Sequence, residues 1–198
     1  MLNIALIRPS RFSVVIILLC IAIQAFSPDS IILLRYEYQA VIDGQWWRLF
    51  TANFTHSNWN HLWLNMSGLI LIDILFQPLM TNRLKIYLLS GCILFNILLL
   101  HCFIKLEWYV GFSGALHGYL VGCALFSFKA AIKTNSFILA VVGIKLFIEL
   151  NWNINELTAN FIQANVVEEA HLSGAVSAIF IYVLSIILST VKAKEKNI

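Results

Sequence analysis

Ser113 lies in the run Gly111-Phe112-Ser113-Gly114-Ala115-Leu116-His117-Gly118. A hydroxyl flanked by glycines leaves room for a peptide backbone to approach it. At a predicted helix start, unpaired backbone N–H groups are also at hand to stabilise an oxyanion. The chemistry this implies is nucleophilic acyl transfer, which needs a base within hydrogen-bond reach. The same run has a plainer reading: Gly114, Gly118 and Gly122 recur every four residues and make a close-packing helix face. The two readings are compatible.

The run Ala170-His171-Leu172-Ser173-Gly174, with Ala178 four residues after Gly174, supplies an imidazole. A Gly-xxx-Ala face can press against the glycine face that carries Ser113 and bring His171 to the hydroxyl. Alone, His171 reads equally as an interfacial histidine facing water. His61 and Asn65 are four apart and share one helix face, so both can point at one small volume. Two donors aimed at a developing negative oxygen serve acyl transfer, and losing one such donor typically costs about 10²–10³ in turnover. Their alternative is a polar stripe that holds helices together.

The elements that must position these residues belong in lipid. Of 198 residues, 60% are hydrophobic and 12% charged, and the mean hydropathy is +0.83. So few charges cannot cover so much apolar surface in water, which excludes an ordinary soluble domain and makes the bilayer the natural solvent. A net charge of +3 carries no nucleic-acid signal, and no nucleic-acid partner is expected. Six apolar stretches, at about 11–27, 59–80, 85–105, 111–132, 136–152 and 171–191, predict an all-α membrane protein, a six-transmembrane-helix bundle in a single domain over 1–198. The runs are continuous rather than alternating, which argues against a barrel. The first stretch is read as a retained helix and not a signal peptide, because Ile23 and Gln24 stand where small residues would be cleaved.

Arg8, Arg11, Arg83, Lys85, Lys129, Lys133, Lys192, Lys194 and Lys196 fall on one side of these stretches, against Arg35, Arg48 and Lys105 on the other. The positive-inside rule then places both termini in the cytoplasm. Long outer loops follow at 27–58 and 153–170, and Trp46, Trp47, Trp59, Trp63 and Trp108 mark the outer interface. In this orientation the outer turns of the second, fourth and sixth spans lie at similar depth. They collect His56, His61, Asn65, Ser113, His117 and His171. Polar groups in lipid are costly, so such convergence points to function.

Other polar residues receive quieter readings. Lys145 and Glu149, four apart in the fifth stretch, are read as a structural ion pair or an interfacial Glu. Asp73 is read as a polar packing contact or a group near cytoplasmic water. Cys20, Cys92, Cys102 and Cys123 have no CxxC spacing, so neither a zinc site nor a disulfide framework is indicated. His56 and His61 are five apart and not on one face as a metal-binding His-xxx-His would be, so no metal and no cofactor are expected.

Several of these motifs carry a resemblance. Gly111-Phe112-Ser113-Gly114 resembles the Gly-x-Ser-Gly motif of the rhomboid intramembrane proteases. His61 with Asn65 is similar to that family's His-xxx-Asn, and His56 also matches a family position. Trp47-Arg48 resembles the Trp-Arg of the first outer loop, and Ala170-His171-xx-Gly174 the Ala-His-xx-Gly that carries the catalytic histidine. The resemblance implies a Ser113–His171 dyad without an acid. It also implies an oxyanion hole from His61, Asn65 and the Ser113 N–H, with Gly111, Gly114, His117 and His56 supporting the site. The partners it implies are membrane-anchored protein substrates within the bilayer of a bacterial inner membrane, cut at a site open to the periplasm.

Where many rhomboids have Tyr, this chain has His117. That form resembles the rhombosortase branch, associated with substrates ending in a Gly-Gly-containing motif, one transmembrane helix and a basic tail. Helical side chains lean toward the N-terminus, so His117 leans toward the Ser113 turn. There it supports the ring of His171 or, as the rival reading, is itself the base. The alternatives at the level of function are a general rhomboid protease for other single-pass substrates and a non-catalytic rhomboid-like binder of membrane proteins.

Overall fold

The computed structural model describes residues 9–152 and 155–195. Arg8, Lys196 and Asn153, which entered the charge and loop readings above, lie outside the described residues. The elements in chain order are α1 (Arg11–Ala25), α2 (Asp29–Leu34), β1 (Tyr36–Glu37), α3 (Tyr38–Ile42), α4 (Arg48–Thr51), α5 (Trp59–Phe76) and α6 (Asn82–Leu99). There follow β2 (Trp108–Tyr109), α7 (Ser113–Phe126), α8 (Ile132–Asn151), α9 (Glu156–Ile162) and α10 (Glu168–Glu195). A π-helical turn over Leu100–Ile104 continues α6.

Each of the six predicted stretches falls on one of the longer helices, but the expectation of six clear spans is corrected. By length and apolarity two helical segments among the described residues can cross a bilayer, Asn82–Ile104 and Glu168–Lys194, or three if the bent pair α8 and α9 is one span. The physical reason is length and polarity. A crossing helix needs about 20 apolar residues, whereas α1 has 15 and α7 has 14. The 18 residues of α5 include Asn60, His61, Asn65 and Asp73. In α5 it is polar residues, the site's His61 and Asn65 among them, that weaken the helix as a span.

Local chemistry sets where the helices begin. Ser10, Asn58 and Thr81 cap α1, α5 and α6, each accepting a hydrogen bond from the backbone N–H three residues on. In contrast, α7 starts at Ser113 with no side-chain cap. Its approach is held by backbone: Tyr36 pairs with Tyr109 and Glu37 with Trp108 in an antiparallel ladder, and the Gly111 N–H donates to the Ala52 carbonyl at 3.0 Å. Gly111 takes φ +122°, where a side chain would be strained, and this sharp turn aims the chain into α7.

The 27–58 loop is folded rather than loose. Arg48 is buried and donates to the Ile32 carbonyl at 3.0 Å, the Arg35 carbonyl at 2.8 Å and Gln45 Oε1 at 2.7 Å. That accounts structurally for an arginine beside Trp47.

Behind the site, α7 lies between α6 and α10. A Cβ on Gly174 would stand 1.8 Å from the Gly114 oxygen, and one on Gly118 would stand 2.5 Å from the Gly174 oxygen. The backbones of α7 and α10 therefore touch, as the small-residue faces predict. Gly122 faces Leu88 of α6 instead.

At the opposite end, Lys85 and Asp73 form a buried ion pair at 2.5 Å, and Asp73 also accepts from Ser13 Oγ at 3.0 Å and from the Ser10 N–H. Lys85 is thus an internal partner for Asp73 rather than a free surface charge. Removing one member leaves the other charge buried and uncompensated. Lys85→Met is expected to lower stability by about 3–5 kcal/mol, with recovery in Lys85→Met/Asp73→Leu, read from unfolding in detergent.

Candidate active site

The start of α7 and the first turn of α10 meet at Ser113 and His171. Ser113 Oγ lies 3.2 Å from His171 Nε2, within hydrogen-bond reach. The other ring nitrogen, Nδ1, lies 3.1 Å from Glu149 Oε2. Glu149 is buried and its second oxygen receives Lys145 Nζ at 2.5 Å. Sequence reasoning paired Lys145 with Glu149 but missed that the same carboxylate reaches His171. The expectation that no acid accompanies the pair is therefore corrected in geometry. The usable signal was position: Glu149 sits near the C-terminal end of α8, three residues before its C-cap, Trp152.

His117 lies one turn beyond Ser113. Its ring stacks on that of His171, with centroids 4.1 Å apart and planes at 21°. Its Nδ1–H donates to the Ser113 carbonyl at 2.8 Å. That bond commits the near nitrogen of His117, while His171 Nε2 faces the hydroxyl. Ligand atoms of His117, Glu149 and His171 all lie within 4.8 Å of one another, a possible metal cluster. In the structure Nδ1 of His117 and both ring nitrogens of His171 already have hydrogen-bond partners.

On the far side of Ser113 stand His61 and Asn65, both buried. A Cβ placed on Gly111 would sit 2.8 Å from His61 Nε2 and 3.7 Å from Asn65 Nδ2. Both nitrogens therefore border the volume that the missing side chain leaves open. Among the described residues, Asn65 Nδ2 has no hydrogen-bond partner. His61 Nδ1 is 3.1 Å from Ser57 Oγ, a contact that sequence reasoning did not foresee.

His56 does not line the site. It is fully buried behind His61, its ring edge-on to that ring at 5.1 Å. Burial first, then the neighbouring His61, push its pKa down to about 3, against a small opposing effect of the Phe54 backbone. The folded value is below that of an unfolded histidine, near 6.5. Stability from a neutral His56 is therefore complete above pH ~6.5 and is lost as pH falls from there toward 3, by up to about 1.4 kcal/mol per unit. Unfolding measured between pH 7 and 4 should show this slope, and His56→Leu should flatten it.

His61, Asn65, Ser113, His117, Glu149 and His171 share the wall of one cavity of about 520 Å³. Its other wall is apolar and runs down α5 and α7 along Gly68, Leu71, Leu75, Leu116 and Leu120. Thr158 and Ile162 of α9 and the segment Asn165–Val167 also line the cavity. The end of α9 is tied to the start of α5, where Asn60 Nδ2 donates to the Phe161 carbonyl at 2.9 Å and Asn58 Nδ2 to that of Ile162. The cavity thus joins a polar end, holding a hydroxyl and imidazoles, to an apolar trough.

Residues 43–188 match the family model described as the Rhomboid domain. That match covers more than half of the chain, and the chain belongs to the rhomboid family. Members of this family are generally intramembrane serine proteases, although some are inactive. A search of curated proteins finds no match to the chain.

Proposed function

We propose that this chain is an intramembrane serine endopeptidase that cleaves membrane-anchored proteins. The observation that carries the reading is the 3.2 Å approach of Ser113 Oγ to His171 Nε2 at the polar end of the cavity. In this reading Ser113 attacks the scissile carbonyl. Its Oγ–C bond forms as the hydroxyl proton passes to His171 Nε2, and the carbonyl electrons move onto oxygen. The oxyanion is held by the Ser113 N–H, which no side chain caps, by Asn65 Nδ2 and by His61 Nε2–H. Ser57 Oγ–H donates to His61 Nδ1 and so keeps the proton on the nitrogen that faces the cavity. The oxyanion then re-forms the carbonyl, and the C–N bond breaks as His171 gives its proton to the leaving amine. Water, losing its proton to His171, attacks the acyl carbon, and the Oγ–C bond breaks as Ser113 takes the proton back.

The orientation proposed is both termini cytoplasmic, in a bacterial inner membrane, with the cavity opening toward the periplasm. The basic residues at the Arg83, Lys129 and Lys192 ends support it. Here the shorter helices α1, α5, α7 and α8 lie in the bilayer beside the two long ones.

His117 supports placement in the rhombosortase branch, with a Gly-Gly-containing C-terminal anchor of an exported protein as substrate. A bound substrate helix must unwind locally before its carbonyl can be attacked. Gly-Gly eases this, because Gly costs about 1 kcal/mol relative to Ala in a helix interior. The test is co-expression with a reporter ending in Gly-Gly, one apolar helix and a basic tail. Processing is expected with the wild type and absent with Ser113→Ala. Unchanged processing with Ser113→Ala would defeat the protease reading. Equal processing of a Leu-Leu reporter would leave a general rhomboid protease and remove the branch assignment.

A further inference from the structure

Glu149 forms the ion pair with Lys145 first read for it, but it is buried rather than facing open water, and its second oxygen has a further partner. Its side chain is buried, one oxygen 2.5 Å from Lys145 Nζ and the other 3.1 Å from His171 Nδ1. A buried carboxylate that spans a cation and an imidazole has both oxygens fixed, which fixes the plane and the tautomer of the ring it accepts from. We propose that Glu149, anchored by Lys145, is the positioning residue for His171, so that Ser113, His171 and Glu149 act as a three-membered line. This rests on the protease reading above.

The consequence for the proton path is definite. Glu149 Oε2 accepts the His171 Nδ1–H, so the lone pair of the neutral ring is on Nε2, facing Ser113 Oγ. When Nε2 takes the hydroxyl proton, the imidazolium forms against a carboxylate already in place. The proton stays on the ring and later leaves from Nε2 to the amine nitrogen. Nothing is transferred to Glu149. Stacking of His117 on the opposite face keeps the ring from rotating away. Among the described residues, charged or titratable neighbours of this pair include Lys145 on α8, His117 on α7 and His61 on α5.

Lys145 is the anchor, not a second orienter, because its Nζ touches only the far oxygen. This gives the two residues unequal expected effects, which a simple structural ion pair would not. The experiment uses the full chain, purified in detergent, with a single-pass reporter whose cleavage depends on Ser113. Glu149→Gln is expected to lower kcat by about 10²–10⁴ while KM changes less than about three-fold. The rate of Ser113 labelling by a fluorophosphonate should fall in parallel, although the melting temperature is kept. Glu149→Asp, a methylene shorter, should recover at least about ten-fold over Glu149→Gln, and Lys145→Met should lose at least about ten-fold less than Glu149→Gln.

Wild-type kcat in Glu149→Gln, with Ser113→Ala inactive, overturns this inference and leaves the protease reading intact. So do equal losses in Lys145→Met and Glu149→Gln together with lowered melting temperatures, the mark of a structural pair. If Glu149→Gln does not fold, Glu149→Ala carries the test, and full wild-type kcat there overturns the proposal. Cleavage that survives Ser113→Ala defeats the protease reading itself.

Discussion

His171→Ala is expected to reduce turnover by about 10⁴–10⁶, whereas His117→Ala should cost only about 10–10². Both rings lie within van der Waals reach of each other, stacked at 4.1 Å, so proximity does not separate them. Connectivity does. His171 presents Nε2 to Ser113 Oγ at 3.2 Å, and removing it leaves the hydroxyl with no acceptor for its proton. His117 has its near nitrogen bonded to the Ser113 carbonyl, and its loss removes a stacking face and one tie within the first turn of α7. Steady-state cleavage of a single-pass reporter in detergent distinguishes the two. Activity that survives His171→Ala but not His117→Ala would assign the base to His117.

Gly174→Ala carries the second large effect, with no change to any group that reacts. The added methyl would stand 1.8 Å from the Gly114 oxygen, 2.7 Å from the Gly114 carbonyl carbon and 3.2 Å from the Gly118 nitrogen. All three are backbone atoms of α7, which cannot yield as a side-chain tip can. The two helices must separate, and Ser113 and His171 ride on opposite sides of that contact. A misplacement of about 1 Å costs on the order of 10² in rate. Overpacking adds about 1–3 kcal/mol of instability. Gly174→Ala is therefore expected to lose at least about 10² in kcat while melting earlier. Gly143→Ala, where a methyl meets nothing within 4 Å, serves as the control and should be silent.

The contrast between these residues explains what was readable in the sequence. The pairing of α7 with α10 was legible because close backbone contact requires small residues at four-residue spacing, a demand written directly in Gly114, Gly118, Gly174 and Ala178. His61 and Asn65 were legible for the same reason, one helix face serving one volume. Glu149 was not. Lys145 at i−4 offered a sufficient local partner, and nothing in the spacing reveals that α8 turns the carboxylate's other oxygen toward α10, 22 residues along the chain.

Lys85 entered only the charge count, and its partner had no signal: the turn between α5 and α6 folds Lys85 back onto Asp73. The pairing of Tyr36–Glu37 with Trp108–Tyr109 had no signal either, since two-residue strands are too short for alternation to register. Helix ends were approximate throughout. The stretch 111–132 proved to hold a 14-residue helix because Gly111 turns the chain before it and a 3₁₀ turn at Phe128–Ala130 follows it.

The proposed protease activity requires Ser113 to be a nucleophile activated by His171. Purified protein treated with a fluorophosphonate probe and mapped by peptide mass spectrometry addresses this without knowledge of any substrate. A single adduct on Ser113 is predicted, absent in Ser113→Ala, slowed by at least about 10³ in His171→Ala and indifferent to chelators. Folded wild-type protein that takes no label, or labelling that proceeds equally well in His171→Ala, would contradict it.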